Sequence, residues 1–146
     1  VKNVTWYLGG YSSTSATADD FYDYERGTTV YSGRPTETTG YIGLMYPSDY
    51  GYSVLASSCA RTTNFGSYNN STCAGQSWLY GQGYEWTITQ NSSDSNTVFL
   101  VDITGSLNSY GYANNGYAAR PVLYLDSNVY VVDGSGTISN PYIIRM

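Results

Sequence analysis

Histidine is absent from all 146 residues, and lysine occurs once, at Lys2. Histidine is the usual proton carrier near neutral pH and a leading metal ligand. Without it the ordinary Ser–His and Cys–His nucleophile pairs cannot be built, and Lys2 is too close to the terminus to serve as a base. Charge is scarce as well: Asp, Glu, Lys and Arg make up 12% of the chain and leave a formal net charge of −5. Phosphate backbones are bound by clustered Lys and Arg, so the composition argues against nucleic acid as a partner. No apolar run approaches the roughly 20 residues of a membrane helix, and no basic amphipathic stretch suggests a membrane surface. The chain opens on Val1-Lys2-Asn3 and lacks a sortase-type Leu-Pro-x-Thr-Gly signal. The expectation is a mature or trimmed ectodomain without its export or anchoring segment, and its hydroxyl- and amide-rich composition suits an exported protein.

Tyrosine is what abounds, with eighteen copies. Its ring gives large, fairly rigid contact area with a polar tip, which favours recognition over chemistry. The length suits one domain, residues 1–146. The two cysteines, Cys59 and Cys73, lie 14 positions apart. A disulfide closing a polar loop is preferred to a redox pair or a metal site, because Cys-x-x-Cys spacing and a third ligand are both missing. Such a bridge stabilises by roughly 3 kcal/mol through chain entropy and implies an oxidising compartment.

Residues 17–26 are the best helix, with Thr17 as N-cap, Asp19 and Asp20 in the first turn and Gly27 past the end. Ala18, Phe21, Tyr22 and the stem of Glu25 form its inward face. A second short helix follows Pro47-Ser48-Asp49, with Ser48 capping. Strands are expected over 4–8, 41–46, 86–89, 97–103, 106–112, 120–125, 129–132 and 138–144. Phe99, Val101 and Ile103 share one face, Thr104-Gly105 turns a hairpin, and Asp133-Gly134 marks another turn. The stretch 56–83 has almost no periodicity and carries the cysteines. The first and last strands, 4–8 and 142–144, are expected to pair. The class is α+β, with one or two short helices followed by a mainly antiparallel sheet with long loops.

Trp86-Thr87-Ile88, the valine-rich 98–102, Gly105, a Tyr/Asn-rich stretch and Ala119-Arg120-Pro121-Val122-Leu123-Tyr124-Leu125 resemble a family of exported bacterial domains of unknown function. Their pattern is similar to the C-terminal half of C-type-lectin-like domains, including the formylglycine-generating-enzyme-like branch. Thr5-Trp6-Tyr7-Leu8-Gly9-Gly10, Tyr24-Glu25-Arg26-Gly27 and Gly43-Leu44-Met45-Tyr46-Pro47-Ser48-Asp49-Tyr50-Gly51-Tyr52 resemble the soluble part of prepilin-like surface proteins of Gram-positive gut bacteria. The resemblance implies a C-type-lectin-like fold and display at a cell surface. The Glu-Pro-Asn, Gln-Pro-Asp and Trp-Asn-Asp calcium motifs of sugar-binding members are absent. Neither cysteine lies where formylglycine-generating enzymes hold theirs, so neither activity carries over.

Tyr110, Tyr112, Asn114, Asn115 and Tyr117 fall on a strand end and loop of the kind where C-type-lectin-like domains present a binding face, and Tyr80 and Tyr84 join them as candidates. The alternative is that these rings complete a small core. Arg120 is expected to satisfy loop carbonyls or a buried carboxylate, Asp102 or Asp49, rather than to clamp a ligand. Asp19, Asp20, Asp23 and Glu25 form a solvated acidic helix face, and Asn91, Asp94, Asn96 and Asp102 a polar turn rather than a calcium loop. A glycoside hydrolase would need two opposed carboxyl groups from Glu37, Glu85 or Asp102, and nothing places two together. The expected function is surface-displayed recognition of a protein or glycan, without cofactor, metal or catalysis. The rival is a structural subunit that self-assembles through tyrosines.

Overall fold

The Thr17-x-x-Asp20 spacing nucleates the first helix. The computed structural model describes residues 1–69, 72–81, 83–136 and 139–146, and places α1 at Ala18–Arg26 with Thr17 as its N-cap. The Asp20 N–H donates to Thr17 Oγ1 at 3.2 Å, while the Thr17 N–H donates to Asp20 Oδ2 at 2.9 Å, a reciprocal capping box. Ala18, Phe21 and Glu25 face inward. Tyr22, expected beside them, is exposed and lies under the Arg26 guanidinium, 3.5 Å from its ring centre. Helix α2 spans Pro47–Tyr52 and α3 spans Ser57–Thr62. Ser48 does not cap α2: the cap is Tyr46, and Ser48 instead turns its hydroxyl to Glu25.

The strands form several small antiparallel pairings. β1 (Val4–Tyr7) pairs with β2 (Glu37–Gly40), and β3 (Gly43–Leu44) pairs with β7 (Pro121–Val122). β4 (Glu85–Gln90), β5 (Thr97–Val101) and β6 (Leu107–Tyr112) form a three-stranded sheet in that order. β8 (Tyr130–Asp133) and β9 (Ile143–Arg145) form a separate ribbon. The expected pairing of the first and last strands is therefore wrong. Glu-Thr-Thr-Gly has no apolar residue to announce a strand, yet its backbone pairs with β1 and the Gly40 carbonyl accepts from Trp6 Nε1 at 3.1 Å. The long strands expected over 41–46 and 120–125 shrink to two paired residues each. Of the strand expected over 138–144, residue 138 lies outside the described residues, and β9 begins at Ile143.

Phe99 and Val101 point inward as expected. Ile103 does not, because the strand stops at Val101 and Asp102 folds a tight turn, accepting from Thr104 N–H at 2.7 Å. Along β4 the buried residues are Glu85, Thr87 and Thr89, while Trp86 and Ile88 face outward. Thr87 tolerates this because its hydroxyl donates to the Phe99 carbonyl at 2.7 Å. Trp86 lies over Gly111 on β6, where an added Cβ would come within 2.6 Å of the indole.

The stretch 56–83 is stapled rather than structureless. It holds α3, two single 3-10 turns at Phe65–Ser67 and Ala74–Gln76, and the Cys59–Cys73 disulfide. Both sulfurs are buried, and Phe65 and Tyr68 between them complete an aromatic core with Phe21, Tyr50 and Phe99. Replacing both cysteines by serine should lower unfolding stability by about 3 kcal/mol. Urea midpoints of the two proteins would show it. An unchanged midpoint would mean that ring packing alone holds this stretch.

Candidate recognition surface

The outward turn of Trp86 starts an aromatic stack. Tyr117 packs against Trp86 and Tyr84, at 4.9 Å between ring centres in both cases, and Asn115 Nδ2 donates to the Tyr117 hydroxyl at 3.0 Å. Two backbone bonds fix the neighbouring chain segments, from Trp86 N–H to the Ala118 carbonyl and from Ala118 N–H to the Tyr84 carbonyl. Tyr110 and Tyr112 alternate along β6 with buried Ser109 and Gly111, and Tyr110 is 74% exposed. Tyr112 and Asn114 line a polar pocket of about 570 Å³ with Arg34, Ser95 and Asn96. Arg34 Nη2 donates to the Ser95 carbonyl at 2.5 Å, which ties the two walls together.

Six of the seven candidate residues thus lie in or beside the β4–β6 sheet and its following loop. Tyr80 stands apart: it packs against the core, and its hydroxyl donates to the Ile103 carbonyl at 2.6 Å.

A second concavity, of about 680 Å³, was not anticipated. Met45 and Leu79 line it with the rings of Tyr52, Trp78 and Tyr124, and Asp49 and Arg120 add polar groups. Trp78 is 76% exposed. Its one sequence signal was an indole set in the polar, glycine-punctuated surroundings of Gly75-Gln76-Ser77, where no strand or helix period explains it. Arg120 binds neither Asp102 nor Asp49 but Glu85, through Nε to Oε1 at 2.7 Å and Nη2 to Oε2 at 3.0 Å. The parallel bridge between Glu85 and Ala118 brings the two together, so the arginine neutralises a buried carboxylate.

Several other polar side chains are engaged by nearby donors. Asp102 and Asp94 accept from backbone N–H groups two residues ahead, and Asn91 accepts from both Ser93 N–H and its hydroxyl. Asp19 accepts from the Tyr52 hydroxyl at 2.8 Å, an interaction that together with burial pushes that phenol up to about 12, burial being the larger cause. Among the described residues no three Cys, Asp or Glu side chains are grouped to hold a metal ion.

Glu25 departs from the solvated face expected of it. It is fully buried, with Oε1 accepting from Ser48 N–H at 2.9 Å and Oε2 from the Ser48 hydroxyl at 2.5 Å. Burial raises its carboxyl to about 7 against the lowering effect of those bonds and of Arg26.

A scan against protein-family models, a search of curated proteins and a search of solved structures each return no match for the chain. No helix among the described residues is long and apolar enough to cross a membrane.

Proposed function

We propose that the chain is an extracellular recognition domain, C-type-lectin-like in arrangement and displayed at a bacterial surface, that binds a glycan or protein partner without catalysis. The observation that carries this is the exposure of Tyr110 and Tyr112 on β6 beside the exposed amides of Asn114 and Asn115, with the Tyr84–Tyr117–Trp86 stack as a separate aromatic cluster. Tyr110 and Tyr112, 74% and 55% exposed, add little to folding, and they offer flat faces and hydroxyls to a ligand. The polar pocket beneath Tyr112 supplies amide and guanidinium donors. Catalysis is left out because Glu85 is held by Arg120 while Glu37 and Asp102 sit on separate elements.

The test is a glycan and protein array probed with the labelled domain, followed by the Tyr110→Ala/Tyr112→Ala variant. Binding to the array hit should drop at least about tenfold, while unfolding stability stays within about 1 kcal/mol. Tyr117→Ala should cost stability as well, since it stacks on Trp86 and Tyr84. Full retention of binding in the double variant would refute the assignment of this face.

A further inference from the structure

The β8–β9 ribbon differs from the central β4–β6 sheet. Along β4 exposure alternates residue by residue because one face rests on the core. Along Tyr130, Val131 and Val132, and along Tyr142, Ile143 and Ile144, it does not alternate: all six side chains are 42–58% exposed. A strand period of two without alternating exposure means that neither face is covered. The edges are open as well, since among the described residues β8 and β9 pair only with each other. The Tyr124 carbonyl accepts from Lys2 N–H at 2.8 Å, and beyond it the backbone hydrogen bonds of the described residues are internal to the segment. A lone two-stranded ribbon is marginal in water, and an open apolar edge is a template for another chain.

Charge identifies the occupant. Alternate side chains along a strand point to opposite faces, so one face of the ribbon offers roughly 300 Å² per copy and two copies bury about 600 Å², the size of a weak, transient contact. The two strands carry one acidic and one basic residue. The register pairs Tyr130 with Arg145 and Asp133 with Ile143, which puts Asp133 and Arg145 at opposite ends of the ribbon. A two-fold axis that reverses the ribbon sets the Asp133 end of one copy against the Arg145 end of the other. A parallel arrangement would set like charges together.

We propose that the β8–β9 ribbon docks on the same ribbon of a second copy of this chain, related by a two-fold axis that reverses strand direction. The interface is isologous, the commonest form of self-association. Its small area suits weak, concentration-dependent association.

Sedimentation of the whole chain between about 1 and 200 µM should show a monomer–dimer equilibrium. Asp133→Arg and Arg145→Asp should each weaken it about tenfold, and the two combined should restore it, because the swapped ends remain complementary. That rescue distinguishes the interface from simple unfolding of the ribbon. Val131→Lys/Ile144→Lys should give a monomer with an unchanged aromatic circular dichroism signal from the body. Trp78→Ala in the second concavity should leave the dimer intact. A monomer at the highest concentration, failure of the charge swap to rescue, or loss of the dimer in Trp78→Ala with the ribbon variants still dimeric would each overturn the proposal.

Discussion

Stability should fall by roughly 3 kcal/mol as the pH rises from about 4 to about 8, and Glu25→Gln should flatten most of that slope. In the unfolded chain the carboxyl releases its proton near the ordinary value of 4.5, whereas in the folded protein it keeps it up to about 7. Between those values the folded state binds more protons, so each step up in pH favours unfolding. Below the window the stabilisation is fully present, and above it the contribution is lost. The cause is burial between α1 and α2, opposed by the two Ser48 donors and by Arg26 and reinforced by Asp49. Urea midpoints at pH 4.5, 5.5, 7 and 8 would measure it. A profile that stays flat in the parent chain, or a slope that survives in Glu25→Gln, would place the titrating group elsewhere.

Phe21→Ala should cost about 4 kcal/mol. The Phe21 ring is fully buried and meets four others edge-on: Phe99 at 5.1 Å, Phe65 at 5.2 Å, Tyr24 at 6.0 Å and Tyr11 at 6.1 Å between centres. Its removal leaves a cavity that rigid neighbouring rings cannot fill, and it forfeits several edge-to-face contacts. It also unlinks α1 from β5 and from the disulfide-closed stretch. The unfolding midpoint and the near-ultraviolet dichroism should both drop, while Tyr110→Ala, at the opposite extreme of exposure, should change either by little. A cost under about 1.5 kcal/mol would show that the core collapses around the gap.

The parts of the fold that depend on neighbours in sequence were legible. Thr17 and Asp20 cap α1 through a three-residue spacing, Thr104-Gly105 turns β5 into β6, and Cys59 meets Cys73 across a polar loop. Gly105 adopts φ +86, which its missing Cβ permits. Pairings between distant segments were not legible. β2 carries no apolar residue, so nothing in its composition showed that β1 would choose it over the C-terminal strand. Glu25 read as one more acid on a helix face, because its burial depends on where Ser48 of α2 comes to lie.

The recognition surface was half visible for the same reason. Tyr110 and Tyr112 were expected at the end of a strand over 106–112, and both are exposed on β6. Strand pattern could not show that Tyr80 would turn inward to the Ile103 carbonyl, or that Glu85 rather than Asp102 would receive Arg120. Trp78 carries no directional signal, because its stretch has no period from which to assign one.

The three indoles occupy three different surroundings: Trp6 is 2% exposed, Trp86 is half-buried beneath Tyr117, and Trp78 stands 76% open to water. Their fluorescence separates accordingly. Trp78 emits at the longest wavelength and is the one a dissolved quencher such as iodide reaches first. The domain therefore carries an intrinsic optical reporter on the rim of its larger concavity, and occupancy there can be followed without attaching a dye.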